Sequence, residues 1–351
     1  MKKIASYCLF VIASVYLISC SKSNPASNNP IIVPAIIAPP PAFGFYVVGY
    51  FPSYRDPAAI PDTKFKMCNV VNYAFGTVNT TGGITLASPN VLIALRTKAK
   101  ANGAKVFISL NGSTTDWKNM ATTAAGRTIY VKQAMDILRN YGLDGIDVDW
   151  EFPSTTDGTD ITYTALMKEL SDSCHTNSLY YLTTALTSGK YLGSYTNAIN
   201  SVLWTANYVD FFNIMAYDDF NTTVAYKHHS DYALSQTCLN YWINTRGVPA
   251  AKTVLGIPAY GRPSGITQSG TVLTYSGILG QGGSSQSDSA TVTAGGFTNY
   301  KIYYNGQPTT KKKAMLAKNT AGGVMMWEHG QDTYDATSLL KAVCDTIGRV
   351  Y

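Results

Sequence analysis

The sequence predicts an α/β chain folded as a closed (β/α)8 TIM barrel, on three observations. Eight short apolar runs of strand length recur along residues 44–351. Segments with helical spacing lie between them, and such alternation implies parallel pairing through crossover helices. The turn after the first run holds Pro52-Ser53-Tyr54, not a glycine-rich phosphate loop, which disfavours an open dinucleotide-binding sheet.

The strand-like runs fall at 46–51, 70–75, 105–110, 145–150, 181–185, 211–216, 254–258 and 323–327. Helical segments fit 91–100, 128–141, 163–174 and 339–347. In the second of these Ile129, Val131, Ala134, Met135 and Leu138 recur at the spacing of one helix face. Residues 263–300 are rich in Gly, Ser and Thr and read as a long loop with room for a short hairpin.

The N-terminus has a different character. Lys2-Lys3, an apolar stretch at 4–18 and Ser19-Cys20 follow one another. That stretch is shorter than the roughly 20 residues of a membrane span, and its flanks are those of an export signal. Leu17-Ile18-Ser19-Cys20 is similar to a bacterial lipobox, in which the Cys carries lipid after cleavage. An ordinary export signal with an incidental Cys is the other reading. Residues 21–42 are rich in Ser, Asn and Pro, which resist helix and suit an extended spacer. The expected organisation is therefore a lipoprotein signal at 1–19, a lipid-anchored linker at 20–43 and a catalytic domain at 44–351. It implies secretion across the inner membrane and lipid anchoring to the bacterial cell envelope, with the outer membrane the expected site.

Composition excludes some partners. The chain is 46% hydrophobic with 25 Tyr, which opposes disorder. Its formal charge of +6 falls to +4 once Lys2 and Lys3 leave, so nucleic acid is not expected. The dense cluster Lys311-Lys312-Lys313 reads as a solvated helix face. Cys68, Cys174, Cys238 and Cys344 lack metal-ligand spacing, and no metal or cofactor is expected. Their pairing is open between disulfides and buried thiols.

Chemistry concentrates in Asp144-Gly145-Ile146-Asp147-Val148-Asp149-Trp150-Glu151. Strand alternation puts Asp147, Asp149 and Glu151 on one face and Ile146, Val148 and Trp150 on the other. Three acids facing a barrel interior are costly unless hydrogen-bonded, and their mutual repulsion raises proton affinity. A carboxyl kept protonated near neutral pH can donate to a leaving oxygen. Glu151 comes last, at the strand end where barrel active sites lie. A Ca²⁺ loop also spaces Asp by two, but apolar residues would not fill its intervening positions. Asp144 begins the motif on the opposite face and reads as structural.

This segment matches the DGxDxDxE signature and resembles family 18 glycoside hydrolases, the chitinase family. Asn72-Tyr73-Ala74-Phe75, Met215-Ala216-Tyr217-Asp218, the run from Gly256 to Arg262 and that from Gly322 to Trp327 resemble further strand motifs of the family. One departure is Ser109-Leu110-Asn111-Gly112, where the family pattern reads Ser-x-Gly-Gly. The resemblance implies retaining, substrate-assisted hydrolysis of β-1,4-linked N-acetylglucosamine, an exception to the two-carboxylate scheme. It implies Glu151 as acid/base, Asp149 holding the substrate acetamido N–H and Asp147 pairing with Asp149. Tyr217 would orient the acetamido carbonyl and Trp327 stack under the sugar, with Asp218 and Met215 in the same groove.

Tyr50, Phe75, Tyr260 and Arg262 are further candidates for substrate contact, with core packing the alternative for the first two. Trp117 and Trp204 read as outer platforms or helix packing, His228-His229 as a surface pair, and Glu328 as a sugar contact or a structural acid. The insertion after the seventh strand looks too short for the family's full α+β domain, which implies a shallower groove and endo cleavage. The expected partner is chitin or its oligosaccharides, bound by a monomer. An endo-β-N-acetylglucosaminidase and a non-catalytic chitin-binding lectin are the alternatives; lectin relatives typically lose the terminal acid that Glu151 retains.

Overall fold

The computed structural model describes residues 37–220, 227–265 and 270–351. The predicted signal, Cys20 and most of the linker lie outside them. Among the described residues thirteen strands are numbered in chain order. Those of the barrel half are β1 (Tyr46–Pro52), β2 (Val70–Val78), β3 (Ile84–Leu86), β4 (Lys105–Asn111), β5 (Gly145–Asp149), β6 (Tyr181–Leu186), β7 (Phe211–Ile214) and β8 (Thr253–Pro258). Then come β9 (Tyr260–Pro263), β10 (Leu273–Thr274), β11 (Ser289–Ala294), β12 (Phe297–Tyr303) and β13 (Gly323–Trp327).

Parallel pairing runs β1-β13-β8-β7-β6-β5-β4-β2, and β2 pairs back onto β1 to close the ring. The barrel is the one expected, and each of the eight predicted runs falls on one of its strands. Short β3 adds antiparallel to the end of β2.

The helices around the ring are α1 (Asp62–Lys66), α2 (Pro89–Ala101), α3 (Thr114–Thr122), α4 (Ala124–Tyr141), α5 (Thr159–Cys174) and α6 (Ser194–Asn197). They continue with α7 (Val202–Thr205), α8 (Tyr232–Leu239), α9 (Tyr275–Gly280), α10 (Gln307–Thr320) and α11 (Leu339–Ile347). Local sequence sets their ends. The Thr123 hydroxyl accepts from Gly126 N at the start of α4, and Gly142 closes that helix at φ 61°; glycine takes this left-handed turn without a Cβ penalty.

Two apolar layers result. Inside the ring lie Tyr46, Val48, Phe107, Tyr181, Phe211 and Met325. Between strands and helices, Trp150 stacks on Trp117 at 5.2 Å and 8°. Trp204 packs edge-on against Phe212, so both outlying tryptophans serve helix packing. Cys68, Cys174, Cys238 and Cys344 are buried free thiols.

Residues 37–43, the end of the predicted linker, lie on the N-terminal face of the barrel. Ile37 bridges Thr176, the Tyr181 hydroxyl donates to Pro41 O at 2.8 Å, and Phe43 stacks on Tyr181 at 5.1 Å.

Three sequence expectations are corrected. Residues 263–300 are not mainly loop: β10-β9-β12-β11 form a four-stranded antiparallel sheet, with α9 beside it. Lys313 is not on a solvated face, because it falls on the inward stripe of α10 with Thr310, Ala314 and Ala317. Its ammonium donates to Ser230 O and Oγ at 2.6 and 2.8 Å, and burial lowers its pKa to about 7. His228 and His229 are not a surface pair either: His229 is fully buried and their rings stack at 5.7 Å.

Candidate active site

The register of β5 against its neighbours builds the site. Asp147 sits opposite Ser109 on β4 and Thr183 on β6. It accepts from Tyr50 Oη at 2.7 Å, Ser109 Oγ at 2.9 Å, Thr183 Oγ1 at 2.6 Å and Asn213 Nδ2 at 3.2 Å. Burial pushes its proton affinity up while these donors pull it down. Burial outweighs them and the pKa stays above the ordinary carboxyl value, while the four donors occupy its acceptor sites. No hydrogen bond between Asp147 and Asp149 is seen among the described residues, though the two carboxyls are close enough for Asp147 to raise the proton affinity of Asp149.

Asp149, one step further along the inward face, is nearly as deep. Burial, Glu151 and Asp147, in that order, push its pKa well up. Its Oδ2 accepts from Asn111 Nδ2 at 3.4 Å, and its Oδ1 has no partner. Glu151 stands just past the strand end with an exposed side chain at the mouth. Desolvation and the nearby Asp218 charge raise its proton affinity, the state a general acid needs.

Asp218 is the fixed anion of the site. Tyr260 Oη and Arg262 Nε each donate to its Oδ1 at 2.6 Å. Burial opposes its charge, but His229, Arg262 and Tyr260 prevail and hold its pKa at about 2. Tyr217 is fitted against Gly256, where an added Cβ would meet Ile214 O at 2.4 Å and Tyr217 Cε1 at 2.8 Å. That glycine leaves room for the ring.

These groups border a cavity of about 210 Å³ lined by Tyr50, Phe75, Asn111, Asp149, Glu151, Ala185, Met215, Tyr217, Asp218, Tyr260, Met325 and Trp327. Phe75 reaches it through a bulge in β2, where the register slips between Ala74 and Gly76. Its ring stacks on Trp327 at 5.6 Å and 19°, giving an aromatic wall suited to a sugar face. A second groove of about 250 Å³ continues from Glu151 and Tyr217 past Phe152, Thr187 and Tyr191. A larger hollow of about 630 Å³ lies on the outer wall between α4 and α5, away from the acids.

Most predicted residues thus converge: Glu151, Asp149, Tyr217, Trp327, Asp218, Met215, Tyr50, Phe75 and Tyr260 line the cavity. Asp147 lies beneath it. Arg262 acts through Asp218 and does not line it. Glu328 is fully buried and holds Arg55 at 2.6 Å, with Gly330 N on its other oxygen at 2.7 Å, so it is structural. Asp144 is structural too, accepting from Val106 N at 2.9 Å. Sequence reasoning missed Ser109, Thr183 and Asn213 as donors to Asp147, and Asn111 and Met325 as lining. Polar residues on the inward side of apolar runs were the available signal for all but Met325.

A parallel barrel whose C-terminal rim carries a carboxyl of raised proton affinity beside an aromatic wall has the make-up of a barrel glycoside hydrolase. The chain belongs to glycosyl hydrolases family 18, whose sequence model matches residues 46–332. Chitotriosidase-1 of Mus musculus is 27% identical over 241 residues, 61% of this chain and 50% of that protein. Endochitinase 1 of Metarhizium robertsii is 29% identical over 292 residues, 71% and 67% of the two chains. The chain spans about half the length of the mouse relative. Among solved structures, the GH18 chitinase ChiB from the chitin utilization locus of Flavobacterium johnsoniae superposes with a TM-score of 0.70 at 26% identity. It covers 86% of this chain and 94% of that one.

Proposed function

We propose that the chain is a chitinase, hydrolysing β-1,4-linked N-acetylglucosamine polymers or oligomers with retention and with Glu151 as acid/base. The observation that carries this is the state of the neighbouring carboxyls. Asp218 is clamped by three donors, Asp147 lies under the floor with its acceptors filled, and Asp149 is buried with a raised proton affinity. None is placed as the free second carboxylate of an ordinary retaining site. A substrate that brings its own nucleophile, the 2-acetamido oxygen, suits this groove.

In the first step the Glu151 proton passes to the glycosidic oxygen as the C1–O bond breaks, and the acetamido oxygen bonds to C1. Asp149 accepts a hydrogen bond from the acetamido N–H, whose proton stays on nitrogen, and Tyr217 Oη orients the carbonyl. In the second step water adds to C1, its proton returns to Glu151, and the C1–O bond to the acetamido oxygen breaks. Digestion of chitin tetramer to hexamer, followed by proton NMR of the fresh products, tests the reading. Shorter oligomers with the β-anomer first are expected. Fresh α-anomer would overturn the mechanism, and release of N-glycans from a glycoprotein with no attack on chitin oligomers would overturn the substrate.

The export and lipobox pattern supports a second proposal, that Cys20 anchors the chain to the cell envelope. Cys20→Ser should move the protein from the membrane to the soluble fraction. Continued sedimentation with membranes would refute the anchor.

A further inference from the structure

We propose that Asn111 is a positioning residue for Asp149, its side-chain amide holding that carboxyl on the groove side and keeping the site's mobile proton on Glu151. The inference rests on the chitinase reading above and concerns a residue at which this chain departs from the Ser-x-Gly-Gly pattern. A glycine there has no side chain to donate.

The placement is direct. Asn111 ends β4 in register with Asp149 on β5, so the two side chains are neighbours on one inward face. Asn111 Nδ2 lies 3.4 Å from Asp149 Oδ2, and the residue lines the cavity. No other hydrogen bond reaches the Asp149 carboxyl among the described residues, since its Oδ1 is buried and unpartnered. Asp147, the neighbour that the resemblance would pair with it, is filled by donors from four other residues.

The groups facing Asp149 show why a neutral donor matters. Asp147 lies below it on β5 and Glu151 above; Tyr50 comes from β1 and Tyr217 from the segment after β7. Both carboxyls oppose a charge on Asp149, and both hydroxyls lie in the same cavity. A donor to the ionised form favours that form. Glu151 raises the proton affinity of Asp149, and by reciprocity a charge held on Asp149 favours the proton on Glu151, from which it must be delivered.

The test uses the full chain, with Asn111→Gly, Asn111→Ala and Asn111→Ser assayed on a soluble chitin tetramer across pH. In the Gly and Ala variants kcat should fall about tenfold, the scale of one hydrogen bond to a charged group, with KM little changed. Losing the donor raises the pKa of the group that must be ionised, so the acidic limb of the profile should move to higher pH. Asn111→Ser, which keeps a shorter donor, should lie between these variants and wild type. An unchanged kcat and acidic limb in Asn111→Gly would overturn the proposal, as would a rise in KM alone, which marks a sugar contact. If the unaltered chain fails to cleave chitin oligomers, the functional reading falls separately. The ¹³C carboxyl titration of Asp149 then decides the positioning, and an equal midpoint in wild type and Asn111→Gly overturns it.

Discussion

Glu151→Gln should lower kcat on chitin oligomers by about 10²–10⁴-fold, the usual share of a positioned acid/base. The amide has the shape of the carboxyl but can neither deliver the proton to the leaving oxygen nor take one from water. Titration calorimetry should show the tetramer still bound with a Kd within a few-fold of wild type. The reason is that Trp327, Phe75, Tyr217 and Asp149 also line the cavity, and none depends on Glu151 through a side-chain hydrogen bond among the described residues. Wild-type hydrolysis in this variant would remove Glu151 from the mechanism. Lost binding together with lost turnover would instead make it a substrate contact.

Asp332→Ala should destabilise the fold by about 3–5 kcal/mol, the range for breaking a buried ion pair from one side. Lys64 of α1 is buried, and its ammonium pairs with the Asp332 carboxylate. The same carboxylate accepts from Leu339 N at 2.8 Å, Leu340 N at 3.0 Å and Ser338 Oγ at 2.7 Å, so it also caps α11. Removal strands a buried cation and frees helix-end donors together. Urea unfolding measures the loss, and kcat per folded molecule should be unchanged. Adding Lys64→Met should recover part of the loss and not all, because the donors of α11 stay unmet. Full recovery would mean that the cap contributes nothing.

The barrel and its acids were legible because both rest on short-range rules. The apolar runs mark strands, and period-two alternation on β5 separates Asp147 and Asp149 from Ile146 and Val148. What escaped depends on contacts far apart in sequence or on weaker local signals. Nothing near Asp147 in the chain tells that Tyr50, Ser109, Thr183 and Asn213 all meet it; that follows from register around a closed ring. Lys313 was misread because three adjacent lysines suggest solvent, although only the third shares the inward helical stripe with Thr310, Ala314 and Ala317. The insertion was misread because Gly, Ser and Thr dominate it. Its hairpin signal was nonetheless present: Gly295-Gly296, at φ 58° and 83°, join β11 and β12 in the two-residue turn that such glycines favour.

The docking of residues 37–43 on the barrel's N-terminal face has a directional consequence. The groove opens at the opposite pole, on the C-terminal rim, so residues 37–43 meet the barrel on the side away from the mouth. On the proposal that Cys20 anchors the chain, the anchored segment would continue into residues 37–43, which meet the barrel at the pole away from the mouth. On the chitinase proposal, a long polysaccharide lying across that mouth would not meet residues 37–43, nor would its shortened product have to pass them.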